Sequence, residues 1–299
     1  MSMRKQDARW PASLAVAGML LSGGCATTIA SQKIEGTFER TVALDDDTLV
    51  LDVRTRSGRI AVTAGEPGTV RVTGHIRGHA NRWTPDGAQA VEDRVRAIEA
   101  DPPVVLDGDV LRLGHLDRSR QRQVGISYEV IVPANTRVQA RTGSGSLRLT
   151  GVTGAVEART GSGSSQVSDV AGDVTVDAGS GSISLAAVGG EVDVRTGSGS
   201  IGVSGIESAL RARTGSGRIR VAGAVGGAWD LTTGSGSIRI DLPEDAAFEI
   251  DARSRSGSVR SDHPVTVSGK ARRGRLQGPV RGGGPLVTVR TGSGGITIE

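Results

Sequence analysis

The sequence predicts an all-β protein: a single-stranded parallel β-solenoid (β-helix) with rungs of roughly 18 residues and one capping helix near residues 85–99. Three observations predict it. Thr-Gly-Ser-Gly, or a close variant, recurs at a fixed period, so that its second glycines at positions 145, 163, 181, 199 and 217 are 18 residues apart. Apolar and polar residues alternate on both sides of these marker glycines, as in half-buried strands. Strands so short must stack about 4.8 Å apart to share one core.

Each repeat is predicted to contain two strands and two corners. The inward positions before a marker glycine are seven and five residues upstream, as in Val138 and Ala140. The inward positions after it are two and four residues downstream, as in Leu147 and Leu149. Gly-Ser-Gly forms one corner, because glycine relieves the backbone there, and a second corner is expected near Gly154 and at the same place in later repeats.

The repeats continue to the C-terminal end of the chain at longer intervals. Gly236, Gly257 and Gly294 are further marker glycines, and we interpret Gly274 as a degenerate copy that divides the last interval. Corners explain why 45 of the 299 residues are glycine, and an aromatic content of 2% fits a narrow core of Val, Ile and Ala. Residues 134–299 are therefore predicted to form the regular solenoid.

Residues 1–24 are predicted to be a lipoprotein signal peptide. Basic residues precede an apolar segment of about ten residues, Ala12–Leu21, which is too short to span a membrane. Cys25, the only cysteine, follows small residues in a pattern that resembles a bacterial lipobox, although Ser22 occupies the position where leucine is usual. We predict lipidation of Cys25 and a tether over residues 25–37; an ordinary secretory signal or an incidental core cysteine are the alternatives. A single cysteine excludes a disulfide framework.

Residues 38–133 are predicted to be the irregular N-terminal part of the same solenoid. Strand-like alternation is interrupted once, by a helical pattern with apolar residues at Ala88, Val91, Val95 and Ile98. A preceding Thr-Pro pair suits a helix N-terminus. We expect this helix to cap the open end of the solenoid, because an uncovered sheet edge invites pairing with other chains.

The chain resembles the bacterial putative-adhesin family known as domain of unknown function 4097, strand-repeat proteins of the cell envelope. The resemblance covers nearly all of the chain after the leader. The residues that carry the resemblance are Leu49–Ile60, the strand Tyr128–Pro133, the serial Thr-Gly-Ser-Gly corners and the ending Gly-Gly-Gly-Pro-Leu-Val-Thr-Val-Arg-Thr-Gly-Ser-Gly-Gly-Ile-Thr-Ile. It implies a β-solenoid and an envelope location, and it supplies no catalytic residues.

No catalytic residue, metal site or cofactor is predicted. The Gly-Ser-Gly corners lack the following lysine and helix of a phosphate loop, and they lack the strand-to-helix setting of a hydrolase nucleophile. They also lack the aspartate that calcium-binding β-roll repeats carry in each turn. The four histidines, at positions 75, 79, 115 and 263, are scattered and are interpreted as solvated side chains.

An outward column of arginines is the one candidate binding feature. It occupies the position four residues before each marker glycine, and the predicted anionic-ligand stripe comprises Arg141, Arg159, Arg195, Arg213, Arg253 and Arg290. Guanidinium groups at this spacing could hold an anionic polymer such as lipopolysaccharide, teichoic acid or an acidic glycan. Acids in the neighbouring column, such as Asp193 and Asp230, allow a simpler interpretation in which charges pair on a solvated face.

The sequence thus predicts a non-enzymatic, lipid-anchored protein of the cell envelope, at the outer membrane if the organism is Gram-negative. It would act as an adhesin or interaction scaffold that binds an envelope protein or an anionic glycan through its repeat face. The formal net charge of +4 gives no reason to expect nucleic-acid binding. A β-helix carbohydrate-active enzyme resembling polysaccharide lyases, and an envelope-stress regulatory component, are the alternatives.

Overall fold

The computed structural model describes residues 32–44, 48–80, 87–117, 119–266 and 274–299. The leader, Cys25 and the Thr-Pro pair before the helix lie outside these residues. The N-terminal part contains β1 (Gln32–Ala43), β2 (Val50–Ser57), β3 (Ile60–Gly65), β4 (Thr69–Ala80), α1 (Gly87–Ala100), β5 (Val104–Asp107), β6 (Val110–Leu113) and β7 (Val124–Pro133).

The regular part follows as pairs of short strands on either side of each corner. Its strands are β8 (Arg137–Ser144), β9 (Leu147–Thr150), β10 (Val156–Ser162), β11 (Ser165–Val170), β12 (Val174–Ser180), β13 (Ile183–Val188), β14 (Val192–Ser198), β15 (Ile201–Ile206), β16 (Leu210–Ser216), β17 (Ile219–Gly223), β18 (Trp229–Ser235) and β19 (Ile238–Asp241). The last ones are β20 (Phe248–Ser256), β21 (Val259–Ser261), β22 (Arg275–Val280), β23 (Leu286–Ser293) and β24 (Ile296–Ile298).

These strands form two 12-stranded sheets that enclose one core. The first, sheet A, has the order β1-β4-β7-β3-β9-β11-β13-β15-β17-β19-β24-β21. The second, sheet B, has the order β22-β20-β23-β18-β16-β14-β12-β10-β8-β2-β6-β5. Each regular rung gives the strand before its marker glycine to sheet B and the strand after it to sheet A, and successive rungs pair in parallel. The predicted β-solenoid is confirmed.

The core positions are the ones that the repeat predicted. The side chains seven and five residues before the markers, from Val138 and Ala140 through Ile250 and Ala252, are all buried. Those two and four residues after the markers are buried as well, apart from the half-buried Val259 and Ser261 in the short strand β21. Ser165 takes one of these positions between Leu147 and Ile183, where its buried hydroxyl makes no hydrogen bond.

The Thr-Gly-Ser-Gly corners are held together by side chains as well as by backbone. The threonine points inward, and its Oγ1 donates to the carbonyl oxygen of the marker glycine in the rung before it, as Thr196 does to Gly181 (2.9 Å) and Thr214 to Gly199 (3.0 Å). A Cβ on any marker glycine would fall well inside van der Waals distance of that same kind of carbonyl. Close stacking of rungs therefore dictates both residue types.

The N-terminal end closes the solenoid with antiparallel strands and a helix. β4 pairs antiparallel with β1 on one side and β7 on the other. Helix α1 packs on the core side of β1 and β4 through buried Val91, Val95 and Ile98, and Glu99 Oε1 accepts a hydrogen bond from the backbone N–H of Thr37 (2.8 Å). The predicted helix near 85–99 is confirmed as Gly87–Ala100.

The predicted tether over residues 25–37 is too long, because β1 already begins at Gln32. Its alternation was hidden by Gly36, which is buried on the inward face although it has no side chain. A Cβ at Gly36 would lie 2.8 Å from Val95 Cγ1, so glycine is what lets the helix approach this strand.

The C-terminal end departs from sequence order. The final rung, β23 and β24, lies between the rung of β18 and β19 and the rung of β20 and β21, and it pairs in parallel with both. β22 then pairs antiparallel with β20 at the end of sheet B. The interpretation of Gly274 as a repeat marker is therefore wrong: Gly274 leads into an antiparallel strand, whose register does not follow the repeat.

Candidate ligand-binding face

The predicted arginine column lies on the outer face of sheet B. Register pairs join Arg141 to Arg159, and Arg195 to Arg213, on adjacent strands. Asp177 and Thr232 interrupt the column where the sequence places them. At the C-terminal end the order is changed, since Arg290 precedes Arg253 in the stack although it follows it in sequence.

Most of these arginines are ion-paired. Glu157 Oε1 lies 3.3 Å from Arg141 Nη2 and 2.9 Å from Arg159 Nη2, and Asp177 Oδ2 lies 3.5 Å from Arg159 Nε. Further along the face, Asp193 Oδ2 lies 2.7 Å from Arg195 Nη2.

Further ion pairs join Asp193 and the strands that follow it on this face. That carboxylate also lies 3.7 Å from Arg211 Nη1, and Asp230 Oδ2 accepts a hydrogen bond from Arg213 Nη2 at 2.7 Å. Arg253 makes a bidentate contact with Asp251, with Nε–Oδ1 and Nη2–Oδ2 distances of 2.9 and 2.8 Å. The arginines therefore form the predicted outward column, and carboxylates on the same face are paired with most of them.

These pairs organise the face more than they stabilise the fold. The paired arginine side chains are about one third to one half exposed, and ion pairs at such positions contribute only about 0.2–1 kcal/mol each. What they do fix is side-chain direction, because a guanidinium held by a carboxylate on its own or the next strand lies along the sheet. The face is thus a flat array of paired charges.

An open groove of about 490 Å³ crosses this face over β12, β14, β16, β18 and β23. Its charged lining consists of Asp173, Glu191, Asp193, Arg211, Asp230 and Arg290. Asp173 Oδ1 accepts a hydrogen bond from the backbone N–H of Glu191 (2.9 Å). Asp193 Oδ1 is buried and has no hydrogen-bond partner. The sequence did not predict this groove, because it depends on how the ends of five strands lie together.

The histidines do not form a site. His115 Nε2 lies 3.2 Å from Asp52 Oδ2, which Arg54 Nη2 also contacts at 2.9 Å. His263 is buried against Phe248 in an edge-to-face contact, so the prediction that all four histidines are solvated is wrong for this one. Within the described part of the chain, no group of three or more His, Cys, Asp or Glu residues is placed to hold a metal ion.

The groups with shifted pKa values lie away from this face. Burial raises the pKa of Tyr128 on β7, whose Oη has no hydrogen-bond partner, so the phenol stays neutral. A hydrogen bond from Lys33 on β1 lowers the pKa of Glu35. A hydrogen bond that Arg239 on β19 donates to Asp241 raises the pKa of Arg239. These three residues belong to sheet A, and the fourth, Asp117, lies in the loop after β6, where a hydrogen bond from Ser119 lowers the pKa of its carboxyl group.

None of the described residues forms a helix with the length and apolar character needed to cross a lipid bilayer. No curated protein matches the sequence. Among solved structures, a "putative adhesin" of Bacteroides fragilis is similar with 12% identity and a TM-score of 0.48, over 88% of this chain and 97% of that one. A "putative cell adhesion protein" of Clostridium sporogenes has 11% identity and a TM-score of 0.22, over 88% and 99% of the two chains. A family model described as Toastrack DUF4097 matches residues 119–299.

Proposed function

We propose that this chain, which belongs to the Toastrack DUF4097 family, is a non-enzymatic interaction scaffold of the cell envelope. Lipid on Cys25 would hold it to a membrane, at the outer membrane in a Gram-negative organism. The outer face of sheet B would bind an envelope partner, and we favour an anionic glycan. This surface is rigid because every rung is hydrogen-bonded to the next, so a ligand that spans several rungs meets groups already in position.

The column of guanidinium groups on the outer face of sheet B is the observation that supports this role. Arg141 and Arg159 lie on adjacent strands about 4.8 Å apart, as do Arg195 and Arg213, with Asp177 between the two pairs on the same outer face. A polymer with repeated negative groups can contact several such strands at once, so that weak contacts add up to useful affinity. The acids on the same face limit each contact, which favours a ligand of high charge density over a single carboxylate.

Binding to a sulfated glycan tests the proposal. We expect the purified protein to be retained on immobilised heparin at low ionic strength, because its exposed arginines are then poorly screened. It should elute as added salt shortens the screening length to about 3 Å near 1 M. Underivatised agarose is the control matrix. Flow-through on heparin, and on immobilised lipopolysaccharide or an acidic glycan, would contradict an anionic-polymer function.

Lipidation of Cys25 is a separate prediction about location. We expect the mature N-terminus to be a diacyl- or triacylglyceryl cysteine, detected by mass spectrometry of the N-terminal peptide, and the protein to partition into the membrane fraction. Cys25→Ala should release it to the soluble fraction, since two or three acyl chains are a stable anchor whereas none remains in the variant. An unmodified protein whose distribution is unchanged by Cys25→Ala would show that the lipobox resemblance misleads.

The groove makes a carbohydrate-active enzyme the second candidate. A polysaccharide lyase needs a lateral groove with acids and a basic residue, and Asp193 and Arg211 line one here. Asp193 Oδ2 is, however, close to both Arg195 and Arg211. A carboxylate engaged by two guanidinium groups is better suited to ordering side chains than to accepting a proton from a substrate. Incubation with polyuronates, followed by absorbance of unsaturated products, distinguishes the two: a lyase accumulates product and a scaffold does not.

A further inference from the structure

The C-terminal end of sheet B brings three arginines side by side. The inserted strand β23 places Arg290 opposite Arg253 of β20. The antiparallel strand β22 places Arg275 opposite the other side of Arg253. All three side chains lie on the exposed outer face, on adjacent strands spaced by about 4.8 Å. We call Arg253, Arg275 and Arg290 the C-terminal arginine cluster.

Negative charge is scarce in this cluster. Asp251 engages Arg253, and its register neighbours on the flanking strands are the uncharged Thr288 and Gln277. Arg275 Nη2 donates to the neutral Gln277 Oε1 (2.6 Å), and the Arg290 guanidinium group makes no hydrogen bond or ion pair within the described residues. Three guanidinium groups therefore face one carboxylate.

The central rungs are arranged differently. There Arg141, Arg159, Arg195 and Arg213 each have a carboxylate within 3.3 Å. Like charges directly opposite each other on neighbouring strands are destabilising, so an uncompensated run of arginines carries a cost. An anion bound across the cluster would remove that cost, whereas at the central rungs an anion has to displace acids that are already paired.

We propose that the C-terminal arginine cluster is a binding site for the repeated sulfate or phosphate groups of an anionic glycan. This inference rests on the proposed function and locates it at one end of the face. Guanidinium groups bind such tetrahedral oxyanions through two parallel N–H···O bonds. Arg290 and Arg275, whose guanidinium groups have no acid to compete, would provide the contacts, and Arg253, whose charge is offset by Asp251, lies between them.

The lack of exposed aromatic side chains favours a glycan over a nucleic acid. The aromatic side chains on this part of sheet B, Phe248 and Trp229, are buried in the core, and no described aromatic side chain is exposed there for bases to stack on. The groove that Arg290 borders is lined by Asp173, Glu191 and other carboxylates, which disfavour any polyanion inside it, so that the ligand contacts the cluster and not the groove. A short run of anionic groups fits the cluster itself.

Calorimetric titration of the full chain with a heparin hexasaccharide tests this site. We expect Arg275→Ser/Arg290→Ser to weaken binding about tenfold or more, since two charge-assisted contacts are lost. The dependence of affinity on salt should also become shallower, because fewer counterions exchange on binding. Arg195→Ser/Arg213→Ser is the comparison within the same face: it removes the same charge at positions already paired with acids, and it should weaken binding clearly less than the cluster variant does.

Further measurements distinguish bidentate binding by guanidinium groups from simple attraction between charges. Arg275→Lys/Arg290→Lys keeps the charge but loses the bidentate geometry, so an affinity between those of the wild type and the serine variant is expected. Circular dichroism melts confirm that every variant folds, which exposed positions allow. Sodium sulfate alone should compete weakly, because one ion cannot span three strands.

Several results would overturn the inference. If the wild type binds heparin and the Arg195/Arg213 variant is the weaker one, the site is elsewhere on the face while the proposed function stands. Equal binding of single-stranded DNA, or sulfate binding as tight as hexasaccharide binding, would show that the ligand is not a glycan oligoanion. A wild type that binds no anionic glycan removes the proposed function and this inference together.

Discussion

Ile201→Asp is expected to lower the free energy of unfolding by about 3–5 kcal/mol, because it buries a carboxylate with no partner. Ile201 is 1% exposed and sits in register between Ile183 and Ile219, so a carboxylate there would face aliphatic side chains on both neighbouring rungs. The aspartate must either take up a proton or open the rung to water, and both cost free energy. Urea unfolding followed by circular dichroism measures the change.

Ser200→Asp is the control one residue away. Ser200 is exposed beside the corner, and a new charge on a solvated surface usually changes stability by about 0.5 kcal/mol or less. The contrast depends only on which residue points inward. Similar losses from the two substitutions would mean that the register of sheet A is wrong at this rung.

Gly199→Ala is expected to cost at least about 2 kcal/mol, in the range of overpacked interiors. Its Cβ would collide with the carbonyl oxygen of Gly181, which belongs to backbone and cannot rotate away. Separating the two rungs would strain the corner hydrogen bonds on either side, including that from Thr214 Oγ1 to Gly199 O. Thermal and urea unfolding should both move to milder conditions.

Gly202→Ala tests whether the loss comes from stacking or from glycine as such. Gly202 lies three residues further on, in β15, with open space around its missing Cβ. Alanine there should leave stability unchanged or raise it by about 0.5 kcal/mol, because it reduces the freedom of the unfolded chain. A comparable loss at both glycines would refute the account of the marker glycines as contact points between rungs.

The rungs could be predicted from the sequence because in a solenoid local pattern and tertiary contact coincide. Val192 and Leu210 are 18 residues apart in sequence and are also direct neighbours across β14 and β16. A residue that is inward in one rung is therefore packed against its own equivalent in the next, and periodicity alone identifies the core. For the same reason, the periodicity predicts that Arg195 and Arg213 lie in one outward column.

The corners were only partly predictable. Four successive rungs place a left-handed residue shortly before the second corner, at Gly151, Asp169, Ala187 and Gly205, with φ values of +80°, +57°, +53° and +61°. Ala187 gives no sequence signal for that conformation and Asp169 only a weak one, since glycine is the usual occupant and aspartate a less frequent one. Stacking on the rung before imposes it.

The candidate site could be predicted only in part from the sequence. Its arginine column was predicted, but the pairing of each guanidinium was not, because Arg159 contacts acids of its own rung and of the next. Arg275 was missed: β22 belongs to no repeat, and its pairing with β20 leaves no periodic signal. Nothing in the order of residues put Arg290 between Thr232 and Arg253.

The sequence by itself determined the strands of the regular rungs, their inward faces and their period, because each follows from side chains a few residues apart. Tertiary structure decided which rung stacks on which at the C-terminal end. Thr291 and Ser254 carry the same kind of inward hydroxyl, and these bond the carbonyls of Gly236 and Gly294 respectively. Since every corner offers the same donor and the same acceptor, local chemistry is equally satisfied by either order, and only the packing of the whole end selects one.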